Sequence, residues 1–136
     1  METAALARVL IDTSVWIAFF RKNEPYHSLV SQWMDDDQVV CCGFILAELI
    51  QGAKSDKELA VLEDFLQVFP FIPESPELWV AAGKLSYQLR RKGVTVGLSD
   101  CLIAVAAASD NAQVATLDNH FDALCRPAGI SLFPLR

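Results

Sequence analysis

The sequence predicts an α/β protein in which helices cover both faces of a central parallel sheet of four to five strands. Two observations support this three-layer α/β/α sandwich. Short aliphatic and β-branched runs lack the alternation of a one-sided strand, so their strands are expected to be buried on both faces. These runs alternate along the chain with segments of helical periodicity, as a parallel sheet with crossover helices requires.

In the first half of the chain, residues 8–12 form the first predicted strand, and Thr13 and Ser14 supply the capping groups for a helix over 15–20. A second helix begins at Pro25, and its apolar residues recur every three or four positions until residues 35–37. A strand over 38–42 and helices over 44–52 and 56–68 follow. Residues 69–72 are predicted as an edge strand, because Pro70 would be poorly tolerated in a central one.

In the second half, Ser75 and Pro76 mark the start of the longest helix, which is predicted to run to Lys92. Ser99 is expected to cap a central helix over 100–108. A strand over 113–117, a helical turn over 119–124 and a last short strand over 130–133 complete the predicted sheet. The sequence shows no internal repeat and no domain boundary, so we predict one domain over residues 1–136.

Composition narrows the classes of protein that this chain can belong to. With 136 residues and 53% hydrophobic side chains, it should bury a substantial core. The net charge of −6 argues against a large basic surface for nucleic acid, although it allows local contacts. No apolar run reaches the roughly 18 residues of a membrane-spanning helix, and the first residues lack a basic leader region, so we expect a cytoplasmic protein without membrane contact.

The four cysteines point to a structural role. Cys41, Cys42, Cys101 and Cys125 form no C-x-x-C pair, and the two adjacent thiols would point to opposite faces of a strand. We therefore interpret all four as small buried apolar residues in a reducing compartment.

Acidic residues fall where the predicted strands end. Asp12 ends the first strand and Asp118 follows the strand over 113–117, so both should lie at the carboxyl edge of the parallel sheet, where ligands bind in this type of fold. Asp100 begins a helix whose inner face is apolar. Glu48 lies at the border of an apolar helical stripe, where an unpaired acid is uncommon.

Such a cluster needs a counter-charge. Two carboxylates 4 Å apart repel by roughly 4 kcal/mol at an effective dielectric constant near 20. An all-oxygen site suits Mg²⁺ or Mn²⁺, whereas zinc would favour His or Cys. Each acid also has a local alternative, because Asp12, Asp100 and Asp118 could cap helices and Glu48 could lie on a solvated helix face.

Four motifs carry a family resemblance. They are IDTSVW after the first strand, AEL after the second, LSDCLIA at the start of the central helix and ATLDNHF after a later strand. As an ordered set spanning nearly the whole chain, they resemble the acidic motifs of PIN-domain nucleases, and more narrowly those of VapC-type toxins from toxin–antitoxin pairs.

This resemblance implies a PIN-like fold and a Mg²⁺- or Mn²⁺-dependent endoribonuclease, the toxin of a type II pair. It implies an acidic site of Asp12, Glu48, Asp100 and Asp118, of which Asp12, Asp100 and Asp118 would hold the metal. Hydroxyls at Thr13, Ser14 and Thr116 would support these carboxylates. It also implies a homodimer and a cognate antitoxin protein, and an antitoxin arginine would pair naturally with clustered carboxylates.

The chemistry expected of such a site is hydrolysis of RNA phosphodiester bonds. Held cations would activate a water molecule and stabilise the leaving oxygen. Glu48 would either complete the coordination shell or accept the proton from that water, and the sequence leaves both roles open. Many relatives carry an acid at position 120, where this chain has His120, and we interpret His27 and His120 as surface or packing residues.

The densest basic cluster is Arg90, Arg91 and Lys92, which we predict as a weak RNA contact, although cations at the end of a helix also complement its dipole. Two other functions stay open at this point. One is a catalytically silent PIN-fold module that binds proteins. The other is a phosphatase of the haloacid-dehalogenase type, which places an Asp after its first strand but needs a second Asp where this chain has Ser14.

Overall fold

The computed structural model describes residues 6–135, so the first five residues, which bear on the expected absence of a leader, lie outside the described part. Its sheet consists of three parallel strands, β1 (Val9–Ile11), β2 (Val39–Val40) and β3 (Gln113–Ala115), in the order β2-β1-β3. Leu10 of the central strand pairs with Val40 on one side and Val114 on the other. All three residues of β1 are buried although neighbouring side chains point to opposite faces, so both faces of the sheet are covered.

The predicted number of strands is wrong. The segments over 69–72 and 130–133 each form only an isolated parallel bridge, Cys41 with Phe71 and Val114 with Leu132, so the described sheet has three strands rather than four to five. Prolines explain why these segments go no further. Pro70 and Pro73 surround the first bridge and Pro134 follows the second, and a proline has no backbone N–H to extend a ladder.

Helices occupy most of the chain between the strands. They are α1 (Thr13–Phe20), α2 (Tyr26–Asp35), α3 (Gly43–Gln51), α4 (Asp56–Glu63), α5 (Phe65–Val68), α6 (Pro76–Arg91), α7 (Leu98–Ser109), a 3₁₀ helix (Asn119–Leu124) and α8 (Cys125–Ala128). The longest of them, α6, has 16 residues, and no helix among the described residues is long and apolar enough to cross a bilayer.

The single helix predicted over 56–68 is two helices, α4 and α5. They meet at Asp64, which ends one helix and begins the next. Beyond the break, Phe65 and Phe69 pack against the buried Trp16, with ring centroids 4.9 and 5.8 Å from it. The break therefore serves the packing of aromatic rings on α1, which helical periodicity alone does not show.

The helix caps differ in how well the sequence predicts them. Ser75 caps α6 as predicted, because its hydroxyl accepts a hydrogen bond of 3.2 Å from the backbone N–H of Leu78. The predicted cap at Ser99 is wrong, since α7 begins earlier, at Leu98, with Gly97 as its N-cap. The start of α1 is also capped by Asp12, and not by Thr13 or Ser14 as predicted. Asp100 consequently lies within the first turn of α7, where a helix favours a carboxylate.

The cysteines are largely as predicted. Cys41, Cys42 and Cys101 are buried and Cys125 is partly buried, and all four are free thiols. Burial raises the pKa of Cys41 to about 12 and that of Cys42 to about 11. These two side chains therefore stay protonated near neutral pH and pack as small apolar groups in the core.

Candidate active site

The pairing of β1 with β3 aligns the first two polar residues of the site. Ile11 pairs with Ala115, and the backbone N–H of Asp12 then donates to the carbonyl of Ala115 at 3.0 Å. The next residues in this register are Asp12 and Thr116, and the Thr116 hydroxyl donates to Oδ2 of Asp12 at 2.5 Å. The carboxyl ends of two neighbouring parallel strands thus place these residues side by side, as the sequence predicts for this edge.

The Asp12 carboxylate is buried but well supplied with donors. Asp12 is only 6% exposed. The oxygen Oδ1 accepts from the Ser14 hydroxyl at 2.5 Å and from the Val15 N–H at 3.3 Å, while Oδ2 accepts from Thr116. Burial raises the pKa of Asp12 and these hydrogen bonds oppose that shift. Asp12 therefore caps α1, and the cap leaves it bonded to residues that follow both β1 and β3.

The two hydroxyls also fasten the segment that carries Asp118. The Ser14 oxygen accepts from the backbone N–H of Leu117 at 3.0 Å, and the Thr116 oxygen accepts from the N–H of Asp118 at 2.9 Å. Each hydroxyl thus donates to Asp12 and accepts from the chain after β3. Ser14 and Thr116, which the resemblance implied as supporting residues, thus both bond to Asp12 in the structure.

Glu48 reaches the same edge from α3. Its side chain is exposed, and its oxygen Oε1 accepts a hydrogen bond of 2.9 Å from the hydroxyl of Thr13, the first residue of α1. The contact joins the start of α1 to the middle of α3. Glu48 is thus both solvated and directed toward the acidic residues that follow β1.

The pKa of Asp100 depends on the other three acids. It is partly buried, and desolvation is the largest cause of its raised pKa. The carboxylates of Asp118, Asp12 and Glu48 raise that pKa further, and His120 opposes them. Asp100 therefore lies within electrostatic range of the other three acids predicted from the sequence.

One group of potential metal donors stands out in the described part of the chain. Asp100, Asp118 and His120 each offer a ligand atom, and these atoms lie within 4.8 Å of one another. Asp12, which the sequence assigned to the metal, is not a member of this group. The donor set of carboxylates and one imidazole fits a divalent cation.

His120 is the residue that the sequence analysis set aside. It follows Asp118 by two positions at the start of the 3₁₀ helix, and its backbone N–H donates to Oδ1 of Asp118 at 2.9 Å. Its ring nitrogen Nδ1 lies 3.2 Å from the same oxygen. The two-residue spacing from Asp118 could have predicted this contact, because a tight turn brings the imidazole back to the carboxylate.

Two groups of basic residues concern the predicted RNA contacts. Arg90, Arg91 and Lys92 are exposed at the end of α6, where Arg91 stacks over the ring of Tyr87 at 5.8 Å. A groove of about 540 Å³ between α1, α3 and α4 includes Thr13 and Glu48 from the site. This groove is also lined by three basic side chains that the sequence did not favour, those of Arg21, Lys54 and Lys57.

A parallel α/β fold with acids gathered at the carboxyl edge of its strands is the arrangement of a PIN domain. Residues 9–127 match the PIN domain family, and the chain belongs to that family. Within it, the chain is similar to VapC toxins. It is 30% identical to the VapC ribonuclease Mb1587 of Mycobacterium bovis, over 87% of this chain and 92% of that protein. It is 29% identical to the tRNA(fMet)-specific endonuclease VapC of Salmonella typhimurium, over 82% of this chain and 86% of that protein.

Solved structures agree with this placement. The chain superimposes on the DNA-bound VapBC of Salmonella typhimurium with a TM-score of 0.72 and 26% identity, covering 94% of this chain and 98% of that one. VapBC2 of Rickettsia felis gives a TM-score of 0.73 at 24% identity, with 92% and 96% coverage, and supports the fold.

We predict that Thr116→Val destabilises the fold by about 1–3 kcal/mol, because it leaves the buried Oδ2 of Asp12 without its hydroxyl donor and the Asp118 N–H without its acceptor. Urea unfolding at pH 7 measures this change. Thr95→Val, at an exposed loop position, is the matched control and should stay within about 0.5 kcal/mol of the wild type. Equal stability of the two variants would contradict the proposed network.

We also predict that Asp100→Asn makes the metal-free protein more stable at pH 7. Folding raises the pKa of Asp100, so the protein becomes less stable as the pH rises from the ordinary pKa of 3.8 through the raised pKa. Asn cannot ionise and therefore avoids this loss. The advantage should therefore shrink as the pH falls toward 3.8. Thermal unfolding in EDTA at several pH values measures it.

The control for this prediction is Asp56→Asn. Asp56 is exposed in the first turn of α4, where a carboxylate complements the helix dipole, so its removal should give no gain in stability. A metal-free Asp100→Asn protein that unfolds at a lower temperature than the wild type at pH 7 would show that the acids do not repel as described.

Proposed function

We propose that this chain is a metal-dependent endoribonuclease and the toxin of a type II toxin–antitoxin pair. The observation that carries the proposal is the geometry of the four acids: Thr116 bonds to Asp12 and to the backbone of Asp118, Thr13 bonds to Glu48, and Asp100 and Asp118 have ligand atoms within 4.8 Å of each other. The VapC relatives named above are ribonucleases, and this chain retains an acid at each of the four motifs through which it resembles them.

The residues of the chain divide the work. Asp12, Asp100 and Asp118 would hold Mg²⁺ or Mn²⁺, and such an ion lowers the pKa of a bound water and offsets charge on a phosphate. Glu48 is exposed and oriented by Thr13, so it is placed to accept a proton from an attacking water. Ser14 and Thr116 hold the Asp12 carboxylate in one orientation and fix the backbone that precedes Asp118.

RNA needs cationic side chains as well as the metal site. Arg90, Arg91 and Lys92 are exposed and keep the RNA-binding role predicted from the sequence. Arg21 and Lys54 line the groove that contains Glu48, and they are the second cationic candidates for the phosphates that flank the cleaved bond. Both sets are small, as expected of a chain with a net charge of −6.

An antitoxin is the protein partner that we propose. Two solved relatives support this partner. One is VapBC of Salmonella typhimurium. The other is VapBC-5 of Mycobacterium tuberculosis, with 25% identity and a TM-score of 0.65, which is described as a member of a family of toxin–antitoxin systems. The groove offers a docking surface, because Ile17, Phe20 and Val61 are 39%, 42% and 46% exposed along it. A segment bound there would reach Glu48 and cover the site.

We further propose a homodimer formed through the outer face of α6. Trp79 and Tyr87 are 50% and 60% exposed on this face, one turn to either side of Gly83. A Cβ added at Gly83 would meet no atom within 4 Å, so the helix surface is open between the two rings. Two large rings beside a small residue allow two copies of the helix to pack closely. Each protomer of the dimer would be a single domain over residues 1–136, and we propose that the protein acts in the cytoplasm.

We predict that purified protein cleaves RNA with Mg²⁺ or Mn²⁺ and that Asp100→Asn lowers the rate by about 100-fold or more, the size of effect given by loss of a positioned catalytic group. The measurement is the initial rate of cleavage of total cellular RNA by antitoxin-free protein. Asp56→Asn, which removes an acid outside the site, should cleave like the wild type.

Cleavage by Asp100→Asn at the wild-type rate would remove the basis of the proposal. Folded protein that binds the antitoxin but never cleaves RNA would favour the silent interaction module. Membership of the PIN family and the Ser14 hydroxyl bonded to Asp12, where a phosphatase needs a second Asp, leave no support for the haloacid-dehalogenase alternative.

For the dimer, we predict that Gly83→Glu gives a folded monomer, because a charge placed between Trp79 and Tyr87 opposes close packing while replacing a helix-weakening glycine. Light scattering after gel filtration measures the mass. Gln88→Glu adds the same charge at another exposed position of α6 and should remain dimeric. A Gly83→Glu protein with the wild-type dimer mass would place the interface elsewhere.

A further inference from the structure

His120 occupies a position that the packing of the protein does not require. Its side chain is 70% exposed, and the described contacts of its ring lead to the site acid Asp118. The other histidine, His27, has a different environment, because its ring stacks on Phe19 with centroids 5.0 Å apart and lies near Glu24. Of the two imidazoles, the one at position 120 is thus available to a ligand.

We infer that His120 is a further protein ligand of the divalent cation, on the side of the site formed by Asp100 and Asp118, and that it shifts the preference of the site from Mg²⁺ toward Mn²⁺. The inference rests on the proposed function, since it assumes that the acidic cluster holds the catalytic cation. It adds a nitrogen donor that neither the sequence motifs nor the comparisons assign.

The distances support this ligand set. Two ligand atoms that are each about 2.1 Å from a small divalent ion lie about 3–4.2 Å apart. The ligand atoms of Asp100, Asp118 and His120 lie within 4.8 Å of one another, and Nδ1 of His120 is 3.2 Å from Oδ1 of Asp118, so their spacing is close to that of a ligand set. Because the His120 ring is exposed, it can turn about its own side-chain bonds toward an ion without moving the backbone.

Ligand chemistry gives the direction of the selectivity. Mg²⁺ is a hard ion that prefers oxygen ligands and retains its waters, whereas Mn²⁺, which also suits oxygen ligands, is a transition-metal ion that binds imidazole nitrogen more readily than Mg²⁺ does. An imidazole ligand at position 120, compared with a carboxylate ligand at the same place, therefore weakens Mg²⁺ binding relative to Mn²⁺ binding. The imidazole also leaves one negative charge fewer in a cluster in which the carboxylates already repel one another.

A second role for His120 leads to a different experimental result. If Nδ1–H only donates to Oδ1 of Asp118, the ring orients that carboxylate and never touches the ion. Loss of His120 would then weaken Mg²⁺ and Mn²⁺ binding equally. A direct ligand instead produces a selective loss of Mn²⁺ binding and a nitrogen signature on the bound metal.

The experiment measures Mg²⁺ and Mn²⁺ affinities by calorimetry and records pulsed EPR spectra of the Mn²⁺-loaded protein. The variants are His120→Asn, which exchanges the nitrogen donor for an amide oxygen, and His27→Asn as the matched control. We expect His120→Asn to weaken Mn²⁺ binding by about 10-fold or more and Mg²⁺ binding by less than about 2-fold. We expect ¹⁴N coupling to Mn²⁺ in the wild type and in His27→Asn, and its loss in His120→Asn.

An unchanged ratio of Mn²⁺ to Mg²⁺ affinity in His120→Asn, or a wild-type Mn²⁺ complex without ¹⁴N coupling, would overturn the assignment. Asp100→Asn separates this result from a failure of the proposed function. If Asp100→Asn loses Mn²⁺ binding while His120→Asn keeps the wild-type ratio, the acidic site stands and only the histidine ligand is wrong. If Asp100→Asn binds Mn²⁺ like the wild type, the cation is not held at the acidic cluster and both proposals fail.

Discussion

The hydrogen bond between the Thr116 hydroxyl and the Asp12 carboxylate is the interaction on which the site depends. It exists because β1 and β3 pair in a register that places these residues side by side directly after the paired strands. A carboxylate that is 6% exposed needs such donors, and Ser14 and Val15 supply the others. Because the same hydroxyls accept from the backbone at Leu117 and Asp118, the network that satisfies one buried charge also sets the path of the chain to the next acid.

The fold brings Glu48, Asp100 and Asp118 close to Asp12 although their negative charges repel. Thr13 holds Glu48 from α3, and the first turn of α7 presents Asp100 to Asp118, Asp12 and Glu48. The core provides the stability that this arrangement requires, through the fully covered strand β1 and the aromatic cluster around Trp16. A bound cation would relieve the unfavourable negative charge at this edge, and the proposed function would then explain why the fold carries that cost in stability.

Sequence reasoning predicted much of this arrangement because each acid follows a pattern with a physical meaning. The aliphatic run before Asp12 and the strand before Asp118 predict a shared edge, and Ser75 with Pro76 predicts the start of α6 correctly. What failed depends on contacts distant in sequence. The edge strands end at prolines, the helix over 56–68 breaks where its rings meet Trp16, and α7 begins before Ser99. His120 was interpreted as a surface or packing residue, and it is exposed, but the tight turn that brings its ring to Asp118 cannot be seen in the sequence.

We propose that the acidic edge is a cation site whose charges oppose folding until an ion binds. The most direct measurement is thermal unfolding of the wild-type protein as Mn²⁺ is added to metal-free samples. Binding to the folded state alone should raise the unfolding temperature steadily with concentration, with a gain of about 2.7 kcal/mol at 100 times the dissociation constant. An unfolding temperature that does not change across millimolar Mn²⁺, in protein whose Asp100 and Asp118 are intact, would contradict the account.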